Sequence, residues 1–213
     1  MRITKFGHAC VRIQHHGTTV VVDPGAFTDP AALAGADAVL ITHEHMDHFE
    51  ESRLRAALEA DPAVRVWTND AVAAQLEGLG QRVTVVGEGD AFEVGGIDVS
   101  VHGEWHAVIH PDVPLVKNIG FLFDGRLFHP GDSFTVPPHT VDTLLLPLAG
   151  PWSKAGEVID YVREAGARQA VPVHEATLSP IGQMVATRLL GPDGPGVGSE
   201  LVVLGEGEEL DLG

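Results

Sequence analysis

Cysteine is nearly absent from this chain of 213 residues, so Cys10 has no partner for an internal disulfide. A lone cysteine in a strand-like stretch fits a reducing compartment. Long apolar runs are missing as well: the first residues lack a stretch of signal-peptide length, and no later segment approaches a bilayer-spanning helix. We therefore expect a cytoplasmic protein with no membrane span.

Basic residues are also scarce, with 13 Lys and Arg against 30 Asp and Glu, which gives a formal charge of -17. Such a field opposes nucleic acid and anionic membranes, so a small-molecule substrate is expected instead. Two divalent cations would reverse the field locally, and charge alone leaves open a small anionic substrate held at a metal. Nothing in the sequence indicates an oligomeric state.

Several catalytic motifs are missing too. The chain contains no G-x-S-x-G, no phosphate-binding P-loop and no C-x-x-C. The absence argues against a serine-hydrolase elbow, a nucleotide-phosphate loop and a redox dithiol.

The pattern of apolar residues predicts one domain, residues 1–213, of mixed α and β structure. Strands come first, then helices alternate with strands, which favours two packed sheets with helices on the outer faces, an α/β sandwich. Ser153 is predicted to cap the amphipathic helix that Gly166 ends, and residues 200–212 are predicted to form a terminal hairpin. The predicted strands are 3–6, 9–14, 18–22, 38–41, 64–67, 83–86, 91–94, 97–101, 121–123, 126–128, 140–148 and 168–173, and helices are predicted at 51–60, 69–77, 155–165 and 179–190.

The segment "THEHMDH", residues 42–48, follows the apolar strand 38–41 directly. In an extended segment residues two apart point the same way, so His43 and His45 can hold one ion while Asp47 and His48 turn toward a second. The segment therefore predicts a loop that serves two metal ions.

Other metal-binding side chains follow other apolar strands. His102, His106 and His110 come after residues 97–101, Asp132 comes after 126–128, and His174 comes after 170–173. Zinc prefers at least four donors, more than one loop supplies. Ligands at several strand ends can converge at one edge of a sandwich, and any of the three histidines 102, 106 and 110 could take part.

The motif H-x-H-x-D-H in "HEHMDH" resembles the signature of the metallo-β-lactamase-fold hydrolases. Asp23 in "VVVDPG", His106, Asp132 in "PGDS" and His174 in "VPVHE" fall in the family's order. The opening "ITKFGHACVRI" and the short length are most similar to the compact subgroup that includes ascorbate-phosphate lactonase-like and phospholipase D-like hydrolases. The resemblance implies a four-layer αββα sandwich.

The resemblance also implies a ligand set. It assigns His43, His45 and His106 to a first metal and Asp47, His48 and His174 to a second, with Asp132 between them. His102 or His110 is the alternative to His106. Asp23 is expected to support the loop through hydrogen bonds. His8 is expected either to approach the site or to be structural, and His129 to be structural or to support a ligand.

The implied activity is metal-dependent hydrolysis by a hydroxide that bridges the two ions, with Asp47, His48 and Asp132 as the catalytic residues. Zinc is the expected ion, although manganese, iron, nickel or cobalt would suit the same donors. The expected substrate is a small ester, either a lactone or a phosphodiester. The alternatives are a mononuclear iron dioxygenase of the same fold and a metal-binding protein without activity.

Overall fold

The computed structural model describes all 213 residues. It contains two seven-stranded sheets and four α-helices. The strands of the first sheet are β1 (Arg2–Lys5), β2 (Val11–His15), β3 (Thr18–Val22), β4 (Ala38–Ile41), β5 (Arg65–Thr68), β6 (Val83–Val85) and β14 (Glu209–Asp211). Those of the second are β7 (Ala91–Val94), β8 (Ile97–His102), β9 (Gly120–Phe123), β10 (Leu127–His129), β11 (Thr143–Pro147), β12 (Gln169–Val173) and β13 (Glu200–Leu201). The helices are α1 (Glu51–Ala60), α2 (Asp70–Gln75), α3 (Ala155–Ala165) and α4 (Pro180–Leu190).

Each sheet has an antiparallel half and a parallel half. The first runs β14-β1-β2-β3-β4-β5-β6 and is parallel from β3 to β6. The second runs β13-β12-β11-β10-β9-β8-β7 and is parallel from β10 to β13. In each sheet, the neighbouring parallel strands end at the same edge, where the loops that follow them meet.

The layers confirm the predicted α/β sandwich. Apolar side chains of both sheets, such as Ile13, Leu40 and Phe121, form the core between them. Leu54 of α1 and Val72 of α2 pack on the outer face of the first sheet, and Val158 of α3 covers the second. The order of layers is therefore helix, sheet, sheet, helix.

Two local predictions are wrong. Ser153 does not cap α3, because its hydroxyl bonds within the preceding turn to Gly150, whereas the Glu157 carboxylate accepts from the Lys154 amide at 3.0 Å. Residues 200–212 do not form a hairpin: β13 pairs with β12 in the second sheet, and β14 pairs with β1 in the first. The chain crosses from one sheet to the other at its end, which an alternating apolar pattern does not reveal.

None of the helices has the length and apolar character needed to cross a bilayer.

Candidate metal centre

The loop 42–50 leaves the end of β4 and enters α1. The predicted extended backbone is wrong beyond His45, because the amides of His48 and Phe49 donate to the His45 carbonyl at 3.0 and 2.9 Å and turn the chain. This turn, rather than strand alternation, separates the two pairs of side chains. His43 and His45 face one group of ligand atoms, and Asp47 and His48 face another.

The structure brings all seven predicted ligands to one edge of the sandwich, in two groups. Within each group one donor atom per residue lies within 4.8 Å of the others. The first group contains His43, His45, His106 and Asp132, and the second contains His8, Asp47, His48 and His174.

The Asp132 carboxylate lies between the two groups. Its Oδ2 is 3.4 Å from His106 Nε2 and 3.0 Å from His174 Nε2, while its Oδ1 is 3.1 Å from His48 Nε2. Both oxygens thus face imidazole nitrogens, and together they reach both groups. Trp152 Nε1 donates to the same Oδ2 at 3.1 Å and holds the carboxylate in this position.

The histidines are fixed in the tautomer that a metal requires. His48 Nδ1 donates to Asp23 at 2.7 Å, and the Nδ1 atoms of His106 and His174 donate to the carbonyls of Ala107 and Ala149. Because Nδ1 of each ring donates its proton elsewhere, Nε2 is the nitrogen left to bind an ion at the centre. For His43 the acceptor is the Thr42 hydroxyl at 3.0 Å, which donates its own proton to Asp23.

Four buried atoms at the centre have no hydrogen-bond partner. They are Nε2 of His48, Nε2 of His106, Nε2 of His174 and Oδ1 of Asp132. Buried polar atoms are nearly always satisfied, and an unsatisfied one costs about 1–3 kcal/mol. A divalent cation in each group would satisfy these lone pairs, so the residues present fit two metal ions.

The charges of the centre favour cations as well. Burial lowers the pKa of His43 well below its ordinary value and lowers that of His45, so both are neutral donors. Burial raises the pKa of the Asp132 carboxyl, but the imidazoles of His48, His106 and His174 more than offset this, and the carboxyl stays ionised. Burial likewise lowers the pKa of His174, yet Asp132 and Asp47 raise it to about 9. The carboxylates thus attract positive charge, which a metal would supply in place of protons.

Asp23 supports the loop from below. Its Oδ1 accepts from the Thr42 amide at 2.8 Å, and its Oδ2 accepts from the Thr42 hydroxyl and from His48 Nδ1, each at 2.7 Å. Asp23 is fully buried and has a left-handed φ of 51°, a strained conformation for a residue with a side chain. The surrounding bonds hold it there.

We expect Asp23→Asn to weaken metal binding about 10–100-fold, because the amide cannot accept all three hydrogen bonds and His48 loses its orienting partner. Competition with a chelator measures the affinity. Asp37→Asn is the matched control, since Asp37 also accepts a backbone bond, from the Thr19 amide at 2.8 Å, but lies exposed before β4. Equal affinities in the two variants would contradict the supporting role of Asp23.

His8 approaches the site, which is one of its two sequence-based options. Its Nδ1 accepts from the Ala176 amide at 3.3 Å, so its proton is on Nε2, which lies 3.1 Å from Asp47 Oδ2. Burial lowers the pKa of His8, which favours this neutral form. The ring also contacts that of His174 at an angle of 46°, with 4.0 Å between centroids. Both ring nitrogens of His8 are thus engaged, and His8 supports the predicted ligand Asp47 rather than binding an ion itself.

The other histidines lie apart from the centre. His102 bonds to Ser100 at 2.9 Å, and His110 is exposed and bonds to the Asp112 amide at 3.1 Å, so only His106 of the three joins a group. His129 lies between the Ala9 carbonyl and the Gly131 amide, each at 3.1 Å, in a structural position.

Sequence reasoning missed the glycines beside the ligands. A Cβ on Gly25 would lie 2.1 Å from the Asp47 carbonyl carbon, and one on Gly131, whose φ is +64°, would lie 2.3 Å from Asn118 Oδ1. The "DPG" and "PGD" sequences carried that information, because glycine allows backbone to approach closely.

Comparisons with known proteins show the family of the chain. The model of the family described as the beta-lactamase superfamily domain matches residues 2–174. The chain belongs to the beta-lactamase superfamily. The region that matches this family ends at His174, the last of the predicted ligands.

Similar members of the superfamily extend over most of the chain. Protein Rv0786c of Mycobacterium tuberculosis is 39% identical over 84% of this chain and 86% of its own length. A UPF0173 metal-dependent hydrolase of Exiguobacterium sp. is 27% identical over 86% of this chain and 89% of its own length. Igni18, described as a novel metallo hydrolase of Ignicoccus hospitalis, has the same fold, with a TM-score of 0.75, 18% identity and coverage of 98% and 97%. The superfamily match and the relatives named as metal-dependent hydrolases support the expectation of a metal-dependent hydrolase with this fold.

Proposed function

We propose that the protein hydrolyses a small ester with a hydroxide held between two divalent cations, zinc in the first instance. The observation that carries the proposal is the set of unpartnered donor atoms around Asp132, three imidazole nitrogens and one carboxylate oxygen, each buried and aimed at the centre. His43, His45 and His106 would hold the first ion, and Asp47, His48 and His174 the second. Asp132 would serve both.

When bound, two such cations would lower the pKa of a water molecule toward about 7 and would polarise the scissile bond. The chain's own residues then have separate tasks. Asp47 is the one carboxylate of the centre that is partly open to solvent, and its position suits it to accept a proton from the attacking water. His8 and His174, at 3.1 and 3.3 Å from its Oδ2, would hold that carboxylate in place.

The proton acceptor is available at neutral pH. Burial raises the pKa of the Asp47 carboxyl, but the imidazoles of His174 and His8, at 3.3 and 3.1 Å from its Oδ2, lower it well below its ordinary range. Asp47 is therefore ionised when the reaction needs a base. Asp132 is more deeply buried and meets Trp152, which suits it to position metals rather than to exchange protons with solvent.

A hydrolysis panel on metal-loaded protein tests the proposal. The panel contains lactones, phosphodiesters, thioesters and β-lactams, with bound metal and oxygen uptake measured on the same preparation. We expect hydrolysis of at least one ester class with two ions per chain, loss of activity on chelation and recovery when zinc, manganese, cobalt or nickel is added back.

His48→Ala is the variant that should remove this activity, and His139→Ala is its control, because His139 is an exposed histidine that bonds only to the Gly125 carbonyl. Unchanged turnover in His48→Ala would exclude this centre as the active site. One bound iron with oxygen consumption would favour the dioxygenase alternative instead.

A further inference from the structure

The segment between β8 and β9 forms an arm beside the metal centre. We define the arm as residues 106–116. Its base is closed by an antiparallel bridge between Trp105 and Lys117 and by a hydrogen bond from the His106 amide to the Val116 carbonyl at 3.1 Å. A further bond, from the Ala107 amide to the Asp132 carbonyl at 2.8 Å, ties the arm to the loop that carries Asp132. The arm therefore has a fixed base at the centre.

A cavity of about 460 Å³ lies against this arm. It is lined by His45 and by the eleven arm residues 106–116. Because His45 and His106 both belong to the first group of ligands, the cavity opens onto the first proposed metal position. Its volume is within the range of about 300–1,000 Å³ that small-molecule sites occupy.

Half of the twelve residues that line the cavity are hydrophobic, and two more are prolines. Val108, Val113 and Leu115 are 63%, 44% and 48% exposed, although contact with water is unfavourable for apolar side chains. Alanine, isoleucine, valine and two prolines complete most of the remaining wall. A concave apolar surface beside polar catalytic groups is typical of a site for the apolar part of a substrate.

The cavity offers no lysine or arginine to an anionic group of the substrate. None of the residues that line it is lysine or arginine, and Asp112 is the one carboxylate among them. Lys117, at the base, is already paired with Glu104 at 2.6 Å and lies 4.3 Å from the centre of the Trp105 ring. A phosphate or carboxylate in this cavity would meet no lysine or arginine, and beyond the two proposed ligands only the imidazole of His110, in a chain of net charge -17.

From this lining we infer that the cavity holds an uncharged aliphatic chain, and that the substrate is a neutral ester or lactone whose acyl chain lies against the arm while its carbonyl meets the metals. This inference rests on the proposed function of the centre. It names a substrate class within that function, esters with an aliphatic acyl chain in preference to phosphodiesters and to esters with charged acyl chains.

The first test measures binding without turnover. Straight-chain alkyl hydroxamates of two to ten carbons carry a metal-binding head and place the alkyl chain where the acyl chain would lie. Calorimetry on metal-loaded protein should show affinity rising about fourfold per methylene until the cavity is filled. A terminal carboxylate on a chain of equal length should weaken binding. Equal affinities along the series, or a preference for the charged chain, would overturn the inference.

The second test measures kcat/KM for p-nitrophenyl esters of the same chain lengths and for alkyl p-nitrophenyl phosphodiesters. We expect esters to be the better substrates, with a rate that rises with chain length. Ester turnover that does not depend on chain length, or faster phosphodiester turnover, would contradict the inferred substrate class but not the proposed hydrolase activity. Hydroxamate binding that depends on chain length, without turnover of any substrate, would contradict the proposed hydrolase activity but support binding of an alkyl chain in the cavity.

Leu115→Asp and Val113→Asp place a charge on the cavity wall at exposed positions, where the fold tolerates it. Each should abolish the dependence of hydroxamate affinity on chain length while the metal content stays at the wild-type value. Val203→Asp is the matched control, because Val203 is also exposed, at 58%, but lies outside the cavity. A chain-length dependence that survives in both arm variants would place the alkyl group elsewhere.

Discussion

Asp132→Asn is expected to bind fewer than one metal ion per chain instead of two, and to lower the hydrolytic rate on the order of 10³-fold or more. Asp132 is the one carboxylate whose two oxygens face both ligand groups, Oδ1 toward His48 and Oδ2 toward His106 and His174. Asparagine keeps the volume but removes the charge and one donor oxygen. The effect is therefore electrostatic rather than a loss of packing.

Metal content after dialysis, measured by elemental analysis, tests this prediction directly. Thermal unfolding with and without added zinc gives a second readout, because an ion that binds only the folded state raises its stability. Zinc should raise the midpoint of the wild type and leave that of Asp132→Asn nearly unchanged.

The matched control is Asp160→Asn, which removes the same formal charge from an exposed position on α3. It should keep two ions and the full rate. If Asp132→Asn also kept both, the two groups would not share this carboxylate, and each ion would depend on the other residues of its own group.

The position of the site could be predicted because its chemistry follows strand ends. His43, Asp132 and His174 each come within three residues of an apolar strand, and those strands run parallel within their sheets. Strand periodicity and residue type are local properties that a sequence displays openly. The two-sheet sandwich with outer helices followed from the same patterns.

Partners distant in the chain could not be predicted in this way. Trp152 bonds to Asp132 and His8 bonds to Asp47, contacts that depend on how separate loops at the end of one sheet meet. The terminal segment failed for the same reason, since strand character in residues 200–212 does not say which sheet each half joins. The choice of His106 over His102 and His110 needed the family's order, because His102 ends β8 and the other two follow it within a few residues.

Gly25→Ala is expected to destabilise the folded protein by about 1–3 kcal/mol or more and to lose the second metal ion in preference to the first. The added Cβ would lie 2.1 Å from the Asp47 carbonyl and 2.4 Å from the His48 amide nitrogen, distances that no real structure sustains. Neither side can move freely. The Ala26 amide bonds to the Met46 carbonyl at 2.8 Å, and Arg53 donates to the Gly25 carbonyl at 2.9 Å.

Because Asp47 and His48 belong to the second group, the displaced backbone would misplace that group first, and a shift of about 1 Å in a catalytic side chain costs on the order of 10²-fold in rate. Denaturant unfolding of the metal-free protein and a metal titration measure the two effects separately. Gly156→Ala is the control: nothing lies within 4 Å of its Cβ, so the substitution in α3 should be neutral or stabilise by up to about 1 kcal/mol. If Gly25→Ala bound both ions with wild-type affinity, the backbone of residues 47 and 48 could shift while its side chains stayed in place. Metal binding would then depend on those side chains alone and not on the glycine contact beneath them.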